Sequence, residues 1–412
     1  MYQFQVTEHV IDAQYIRDSP RATATPDAKL KLCVKQYTPI DNPNPQPGDV
    51  TLIAAAGTAL PKEVYEPLWE DLLARSKKDG FRIRGIWMAD AVNQGASGVL
   101  NEEILGNDST WSDHARDLLQ VISHFRTKMP QPIIGVGHSA GAGQLVFASI
   151  FHPRLFTSLI FLEPFVNDDQ RIGGGGMLII MTTEKRDTWR SRQEAKEKSQ
   201  KALRAWDPRA FERWVQHGYR ELPTTVYPDT PAEPGAVTLT TTKHQETMTY
   251  TYVDHKPATV VKFAGDDGSS DEAQESFIPG RQVYRREPIL GYKLLPHLAP
   301  GTLFVSGERS PIYQSEVHEK AVEITGTGFG GSGGVEKDRI RHVIIEKGSH
   351  TLPMEKVGAT AEAMGPWIQK EVQLWKEDGD KVKKEWGSLS AKQKSSFSPE
   401  WYDTIEIAKA NL

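Results

Sequence analysis

One short stretch constrains the fold of this chain more than any other: residues 137–141 read Gly-His-Ser-Ala-Gly, a Gly-x-Ser-x-Gly pattern. An apolar run over 133–136 precedes it, and an apolar stretch of helical length over 142–151 follows it. A strand that turns into a helix through this pattern forms a nucleophile elbow, and the two glycines are needed because the turn leaves no room for side chains. We therefore predict that Ser139 is a catalytic nucleophile at the amino-terminal end of a helix.

The rest of the chain alternates between strand-like and helical patterns. Eight segments are β-branched or aliphatic and are bounded by glycine, proline or charge, as strands are; they are residues 2–10, 30–37, 50–56, 81–88, 132–136, 158–162, 302–306 and 341–345. Ser112 is the predicted N-cap of a helix over 113–128. The sequence thus predicts an α/β protein whose mostly parallel central sheet is flanked by helices.

This alternation breaks between about residues 165 and 298. Residues 186–216 are charged and helical, with aromatics at roughly helical spacing, namely Trp189, Trp206, Phe211 and Trp214. We favour packing of these aromatics against the sheet domain, and the alternative is that they line an acyl pocket. We predict an N-terminal part of the core (1–164), an inserted lid (165–298) and a C-terminal part of the core with terminal helices (299–412).

Composition limits the partners of the chain. The 412 residues carry a net charge of −5 and the sequence pI is about 6.2, whereas nucleic-acid-binding proteins carry a basic face, so we expect no nucleic acid partner. The single cysteine, Cys33, cannot form a disulfide within the chain. The first residues lack a signal-peptide pattern, and no run approaches the roughly 18 apolar residues of a membrane span.

The residues around the predicted nucleophile follow from its chemistry. A serine hydroxyl needs a base to accept its proton, and residues 341–350 read as a strand, a glycine-containing loop and then His350, the predicted base. His342 precedes the apolar centre of that strand and would lie at the wrong end of the sheet. We expect the backbone N–H groups of Ala140 and Leu60 to bind the oxyanion. This arrangement is typical of the α/β-hydrolase fold.

Two carboxylates compete for the role of triad acid. Glu163 ends the strand over 158–162, at the same edge of the sheet as the nucleophile, from where it could orient His350 and stabilise its imidazolium. Most enzymes of this fold carry the acid after the strand over 302–306, where Ser310 occupies the usual place in this chain. Glu308 lies close to that place, next to Arg309, and is the alternative. We predict Glu163 as the acid.

Five stretches give the chain a family resemblance. They are residues 60–69 (LPKEVYEPLW), 111–117 (WSDHARD), 137–141 (GHSAG), 284–288 (YRREP) and 348–355 (GSHTLPME). With them the chain resembles the fungal α/β-hydrolases of secondary-metabolite and toxin pathways, which include a peroxisomal acyl-CoA hydrolase of mycophenolic acid biosynthesis. The resemblance implies a serine hydrolase without metal or other cofactor, which cleaves acyl-CoA thioesters or esters through an acyl-enzyme. That acyl-CoA hydrolase has Asp as its triad acid, at the position that corresponds to Glu163.

The sequence also suggests where the protein is located in the cell and which residues could bind CoA. The ending Ala410-Asn411-Leu412 is similar to a peroxisomal address and would be bound by an import receptor; without it, we expect a cytoplasmic protein. Four cationic lid residues could meet the phosphates of CoA or could form a solvated helix face: Lys185, Arg186, Arg190 and Arg192. A homodimer is compatible with the sequence.

Other function classes also stay open. The first is a carboxylic ester or lactone hydrolase that uses the same triad, and the second is an acyl-transfer cyclase in which a substrate group replaces water. The third is a non-catalytic ligand-binding relative, which is disfavoured because Ser139 and His350 are both present.

Overall fold

The computed structural model of the chain describes residues 3–167, 175–228, 234–253, 283–313 and 316–411. Its centre is an eight-stranded sheet in the order β1-β2-β4-β3-β5-β6-β12-β13. These strands are β1 Phe4–Asp12, β2 Lys31–Pro39, β3 Val50–Ala55, β4 Ile83–Ala89, β5 Ile133–His138, β6 Ser158–Leu162, β12 Gly301–Gly307 and β13 Ile340–Ile345. β1 pairs antiparallel with β2, and β2 antiparallel with β4, while all other neighbours are parallel. The predicted mostly parallel sheet with an antiparallel edge is confirmed.

Helices pack on both faces of this sheet, with α1 and α12 on one face and α3 and α4 on the other. The helices of the described residues are α1 Glu66–Asp79, α2 Gly95–Asn101, α3 Trp111–His124, α4 Ala140–Phe151, α5 Gly175–Glu184, α6 Arg192–Ala202, α7 Pro208–His217, α8 Lys243–Tyr250, α9 Glu287–Leu294, α10 Glu316–Ile324, α11 Leu352–Glu355, α12 Val357–Gly387, α13 Ala391–Ser395 and α14 Pro399–Ala410. Every residue of β3, β5, β6 and β12 is buried, because helices pack on either side. Within β3, Leu52 packs towards α1 and α12, whereas Ile53 packs towards α3 and α4. This alternation is the two-residue period of a strand that is buried on both faces.

Each of the eight predicted strands overlaps an observed strand, and their ends differ by no more than two residues. The predicted start of the third helix is wrong. Thr110, not Ser112, is the N-cap of α3, because its hydroxyl accepts a hydrogen bond from the Asp113 N–H at 3.2 Å, while Asp113 bonds back to the Thr110 N–H. Ser112 instead donates its hydroxyl to Asp18. The helix ends at His124, four residues before the predicted end.

The segment between β6 and β12 adds no strand to the main sheet over its described residues. It forms a three-stranded sheet in the order β7-β9-β8 and a two-stranded sheet of β10 and β11. The short strands are β7 Thr188–Trp189, β8 Tyr219–Glu221, β9 Val237–Leu239, β10 Tyr252–Val253 and β11 Val283–Tyr284. They were not predicted, because two or three residues carry no recognisable alternation.

The predicted packing of the lid aromatics is confirmed in most cases. Trp206 belongs to the same apolar core as α1 and α12, and Phe211 and Trp214 pack against that core. The indole Nε1 of Trp206 donates to the Thr351 hydroxyl at 3.2 Å. Trp189 differs, since it packs inside the lid beside Tyr219. α7 and the loop before it therefore dock on the sheet domain through apolar side chains that the sequence predicted to pack there.

The C-terminal helices are buried over part of their length. The first half of α12, from Val357 to Glu371, buries one face, whereas residues 376–387 of α12 and all of α13 are exposed. Leu412, the last residue of the predicted peroxisomal address, lies outside the described residues. Over the described part of the chain, no helix combines the length and apolarity that a membrane span requires.

Candidate active site

The turn between β5 and α4 holds Ser139 in a strained conformation. Its backbone has φ 54° and ψ −120°, a region that non-glycine residues rarely adopt. The flanking glycines are required by space: a Cβ on Gly137 would lie 2.6 Å from the Cα of Ala142, and one on Gly141 would lie 2.3 Å from the Ala55 carbonyl oxygen. The predicted elbow geometry is therefore present.

Ser139, His350 and Glu163 lie in one hydrogen-bonded line. The Nε2 atom of His350 is 2.9 Å from the Ser139 hydroxyl, and its Nδ1 atom is 3.2 Å from Oε2 of Glu163. The three residues come from three loops that follow β5, β13 and β6, all at the carboxyl edge of the sheet. In this arrangement the imidazole can accept the serine proton on one nitrogen while a carboxylate orients the other nitrogen.

Hydrogen bonds from two neighbouring groups hold the Glu163 carboxylate in place. Its carboxylate is 1% exposed, and it accepts a hydrogen bond from the Gly307 N–H at 2.5 Å and a second from the Ser310 hydroxyl. Its own N–H donates to the Val305 carbonyl at 2.9 Å. Ser310, which stands where most enzymes of this fold have the acid, thus donates to the predicted acid that follows β6. The sequence marked the position of Ser310 but did not indicate this role.

The competing carboxylate lies elsewhere. Glu308 accepts a hydrogen bond from the Lys347 N–H at 2.8 Å and is exposed. His342 lies within β13, where its Nε2 atom is 3.0 Å from the Ser306 hydroxyl. The structure therefore brings together the three predicted triad residues and leaves both alternatives outside the line.

The two predicted oxyanion donors differ in the hydrogen bonds that their N–H groups make. The Ala140 N–H belongs to the first turn of α4, where backbone N–H groups have no intrahelical acceptor and the helix dipole favours negative charge. The Leu60 N–H already donates to the Gly57 carbonyl at 3.2 Å, and the Ala59 N–H donates to Oε1 of Gln94 at 2.7 Å. Leu60 is therefore a poorer donor than predicted, because the tight turn at 57–60 uses its N–H.

Thr58 lies in the same loop and was not predicted as a backbone donor. Among the described residues its N–H has no hydrogen-bond acceptor. Thr58 and Ala140 line the same small cavity. The loop is held from behind by an ion pair of two buried side chains, Lys62 and Asp90, whose Nζ and Oδ2 atoms are 2.5 Å apart.

Three of the four lid cations have partners within the protein. Lys185 forms an ion pair with Glu246. Arg186 pairs with Glu194 at 2.8 Å and lies over the ring of Trp189. These contacts favour a structural role over the recognition of phosphate.

Arg192 is held at the other end of the same segment. Its guanidinium donates to the carbonyls of Val215 and Tyr219, each at 3.0 Å, so it caps the end of α7. Arg190 is exposed. Over the parts of the chain that the structure describes, no group of three or more His, Cys, Asp or Glu side chains is arranged to hold a metal ion.

Comparisons with known proteins agree with this architecture. A family model described as "Alpha/beta hydrolase family" matches residues 52–363. A type I acyl-CoA thioesterase of Penicillium roqueforti, mpaH, is 36% identical over 424 aligned residues, which cover 98% of this chain and 96% of that protein. An abhydrolase domain-containing protein of Alternaria alternata, ACTT2-2, is 24% identical over 280 aligned residues, which cover 68% of this chain and 99% of that protein.

A solved structure supports the same fold. The peroxisomal α/β-hydrolase Lpx1 of Saccharomyces cerevisiae superimposes with a TM-score of 0.68 at 16% identity, covering 100% of this chain and 98% of its own. At that identity the likeness concerns the fold alone. The family match, by contrast, extends from β3 to α12 and includes all three residues of the hydrogen-bonded line. The chain therefore belongs to the alpha/beta hydrolase family.

Proposed function

We propose that this protein hydrolyses acyl-CoA thioesters through a triad of Ser139, His350 and Glu163. The observation that carries the proposal is the 2.9 Å contact between the Ser139 hydroxyl and Nε2 of His350, whose other nitrogen meets a buried carboxylate. Relatives named acyl-CoA thioesterases, which align over almost the whole chain, support the thioester as the bond that is cleaved. By the same resemblance we assign the reaction to a secondary-metabolite pathway.

The first half-reaction transfers the acyl group to the enzyme. The hydroxyl oxygen of Ser139 attacks the thioester carbonyl carbon, and Nε2 of His350 accepts the hydroxyl proton. The negative charge that forms on the carbonyl oxygen is bound by the N–H groups of Ala140 and Thr58, a contribution worth roughly a hundredfold to a thousandfold in rate per donor. The carbon–sulfur bond then breaks, His350 gives its proton to the leaving thiolate, and free CoA departs.

The second half-reaction restores the enzyme. A water molecule gives a proton to Nε2 of His350 and attacks the acyl ester, after which the bond to the Ser139 oxygen breaks. That oxygen recovers the proton from His350, and a carboxylic acid is released. Throughout, Glu163 holds the Nδ1–H tautomer and stabilises each imidazolium that forms.

The test compares matched substrates. Purified protein is assayed against pairs of an acyl-CoA thioester and an oxoester that carry the same acyl group, with Ser139→Ala as the inactive variant and the exposed Ser388→Ala as its matched control. We expect hydrolysis of at least one thioester, in preference to its oxoester. Turnover of oxoesters alone would reject the thioester assignment. In H₂¹⁸O a hydrolase places one heavy oxygen in the acid, whereas a cyclase places none.

A chemical probe addresses the non-catalytic alternative. Fluorophosphonates react with the activated serine of serine hydrolases without regard to the acyl group. We expect the wild-type protein to be labelled at Ser139, and Ser139→Ala to remain unlabelled. An unlabelled wild-type protein would indicate a ligand-binding relative instead.

A further inference from the structure

A buried hydrogen-bonded chain behind the triad joins the oxyanion loop to the base. The Gly57 N–H donates to the Tyr65 hydroxyl at 2.8 Å, that hydroxyl is 2.7 Å from Nδ1 of His138, and Nε2 of His138 is 2.8 Å from the His350 carbonyl oxygen. The Tyr65 and His138 side chains are each about 1% exposed. This series of hydrogen bonds therefore starts one residue before Thr58 and ends on the backbone carbonyl of His350, the predicted base.

The chemistry of the groups fixes the direction of every bond. The His350 carbonyl can only accept, so the proton of His138 must sit on Nε2. Nδ1 of His138 then accepts, which makes the Tyr65 hydroxyl its donor. The Tyr65 oxygen is left to accept from the Gly57 N–H. Each of the three hydrogen bonds between Gly57 and His350 therefore has one donor and one acceptor.

His138 is suited to this role because it stays neutral. Burial, with the nearby charge of His350, lowers its pKa to about 3. Its backbone lies at the end of β5, and Ser139 follows directly. The arrangement also explains Gly57, since a Cβ there would lie 2.8 Å from Nδ1 of His138. The oxyanion loop approaches this ring more closely than any side chain would allow.

We propose that Tyr65 and His138 are positioning residues, which set the distance between the oxyanion loop and the ring of His350. The proposal rests on the proposed function, because it assumes that Ser139 and His350 react. Three loops that carry the site come from sequence positions near 57, 138 and 350, and this chain of hydrogen bonds joins all three. A displacement of a reacting group by about 1 Å costs on the order of a hundredfold in rate.

The test measures how fast a fluorophosphonate labels Ser139 in variants of the full chain. Tyr65→Phe removes the central hydroxyl and leaves the ring in place. Tyr37→Phe is the matched control, since its hydroxyl is also fully buried but donates to Glu66, away from the triad. We expect labelling of Tyr65→Phe to be about tenfold to a hundredfold slower than that of wild type, and labelling of Tyr37→Phe to stay within twofold.

A rescue variant separates positioning from general support of the fold. In His138→Gln, the side-chain oxygen can accept from Tyr65 while the side-chain nitrogen donates to the His350 carbonyl. We expect His138→Gln to be labelled faster than His138→Leu, and the Tyr65→Phe/His138→Leu pair to be no slower than the slower single variant. Steady-state assays should show a fall in kcat with KM within twofold.

The outcomes separate the two proposals. If the wild-type protein is not labelled at Ser139, the proposed function fails. If the wild-type protein is labelled and folded Tyr65→Phe reacts at the wild-type rate, the positioning role is wrong and the proposed function stands. Equal losses in Tyr65→Phe and Tyr37→Phe would likewise overturn the positioning role, because they would reflect lost stability alone.

Discussion

Replacement of Glu163 by glutamine tests its assignment as the acid of the proposed triad. The carboxylate is buried and lies 3.2 Å from Nδ1 of His350. When His350 becomes an imidazolium, the two unit charges are roughly 4 Å apart, and an effective dielectric constant of about 20 gives an attraction of about 4 kcal/mol. Because the His350 side chain is 35% exposed, solvent weakens this attraction.

Glutamine keeps part of the interaction. Its side-chain oxygen can still accept the Nδ1–H of His350 in a neutral hydrogen bond, which is worth about 1 kcal/mol. The net loss of at most about 3 kcal/mol corresponds to a fall in kcat on the order of a hundredfold. The shape of the side chain is unchanged, so the fold should remain intact, although the amide nitrogen that takes the place of Oε1 leaves the Gly307 N–H without its acceptor.

The assay is steady-state thioester hydrolysis, with thermal unfolding as the check on folding. Glu308→Gln is the matched control, since it makes the same change on an exposed carboxylate that bonds to the Lys347 backbone. We expect Glu308→Gln to keep kcat within about twofold of wild type. A larger loss in Glu308→Gln than in Glu163→Gln would refute the assignment of Glu163 as the acid.

Four further predictions follow from other parts of the molecule. Ser310→Ala should lower kcat by several-fold, and an unchanged kcat would show that Glu163 needs no second donor. Burial lowers the pKa of His114 to about 3 from the ordinary 6.5, so between about pH 6.5 and pH 3 only the unfolded chain binds this proton, and the free energy of unfolding falls as the pH falls. In denaturant unfolding, His114→Gln should reduce the slope of the unfolding free energy against pH in this range by about 1.4 kcal/mol per pH unit. An equal slope in wild type and variant would contradict this. Arg192→Gln should lower the melting temperature without changing the preference for a thioester over its matched oxoester, and a selective loss on the thioester would restore a role in CoA binding. A fluorescent fusion to the amino terminus should be punctate and become diffuse when residues 410–412 are removed, whereas a diffuse intact fusion would reject the address.

The parts of this molecule that could be predicted from sequence are local. The elbow at Ser139 and the loop that carries His350 each depend on a short run of residues whose order fixes a strand, a tight turn and the next element. Glu163 was predictable for a related reason, because the carboxyl ends of neighbouring parallel strands lie at one edge of the sheet.

The parts that were missed depend on the direction of single bonds or on distant contacts. Thr110 and Ser112 are both good caps, and the sequence does not say which hydroxyl turns towards the helix. The hydrogen bond of the Leu60 N–H to the Gly57 carbonyl was not predicted, because this partner is set by the geometry of a four-residue turn. Tyr65 and His138 are 73 residues apart in the chain, and no local pattern links them.

The central claim is that this protein cleaves thioesters with Ser139 as the nucleophile. Release of free CoA thiol from a panel of straight-chain and aryl acyl-CoA thioesters, measured for wild type and Ser139→Ala side by side, tests it most directly. We predict turnover by wild type and a loss of at least about a thousandfold in Ser139→Ala, with its melting temperature unchanged. Thiol release by Ser139→Ala at the wild-type rate would contradict the account.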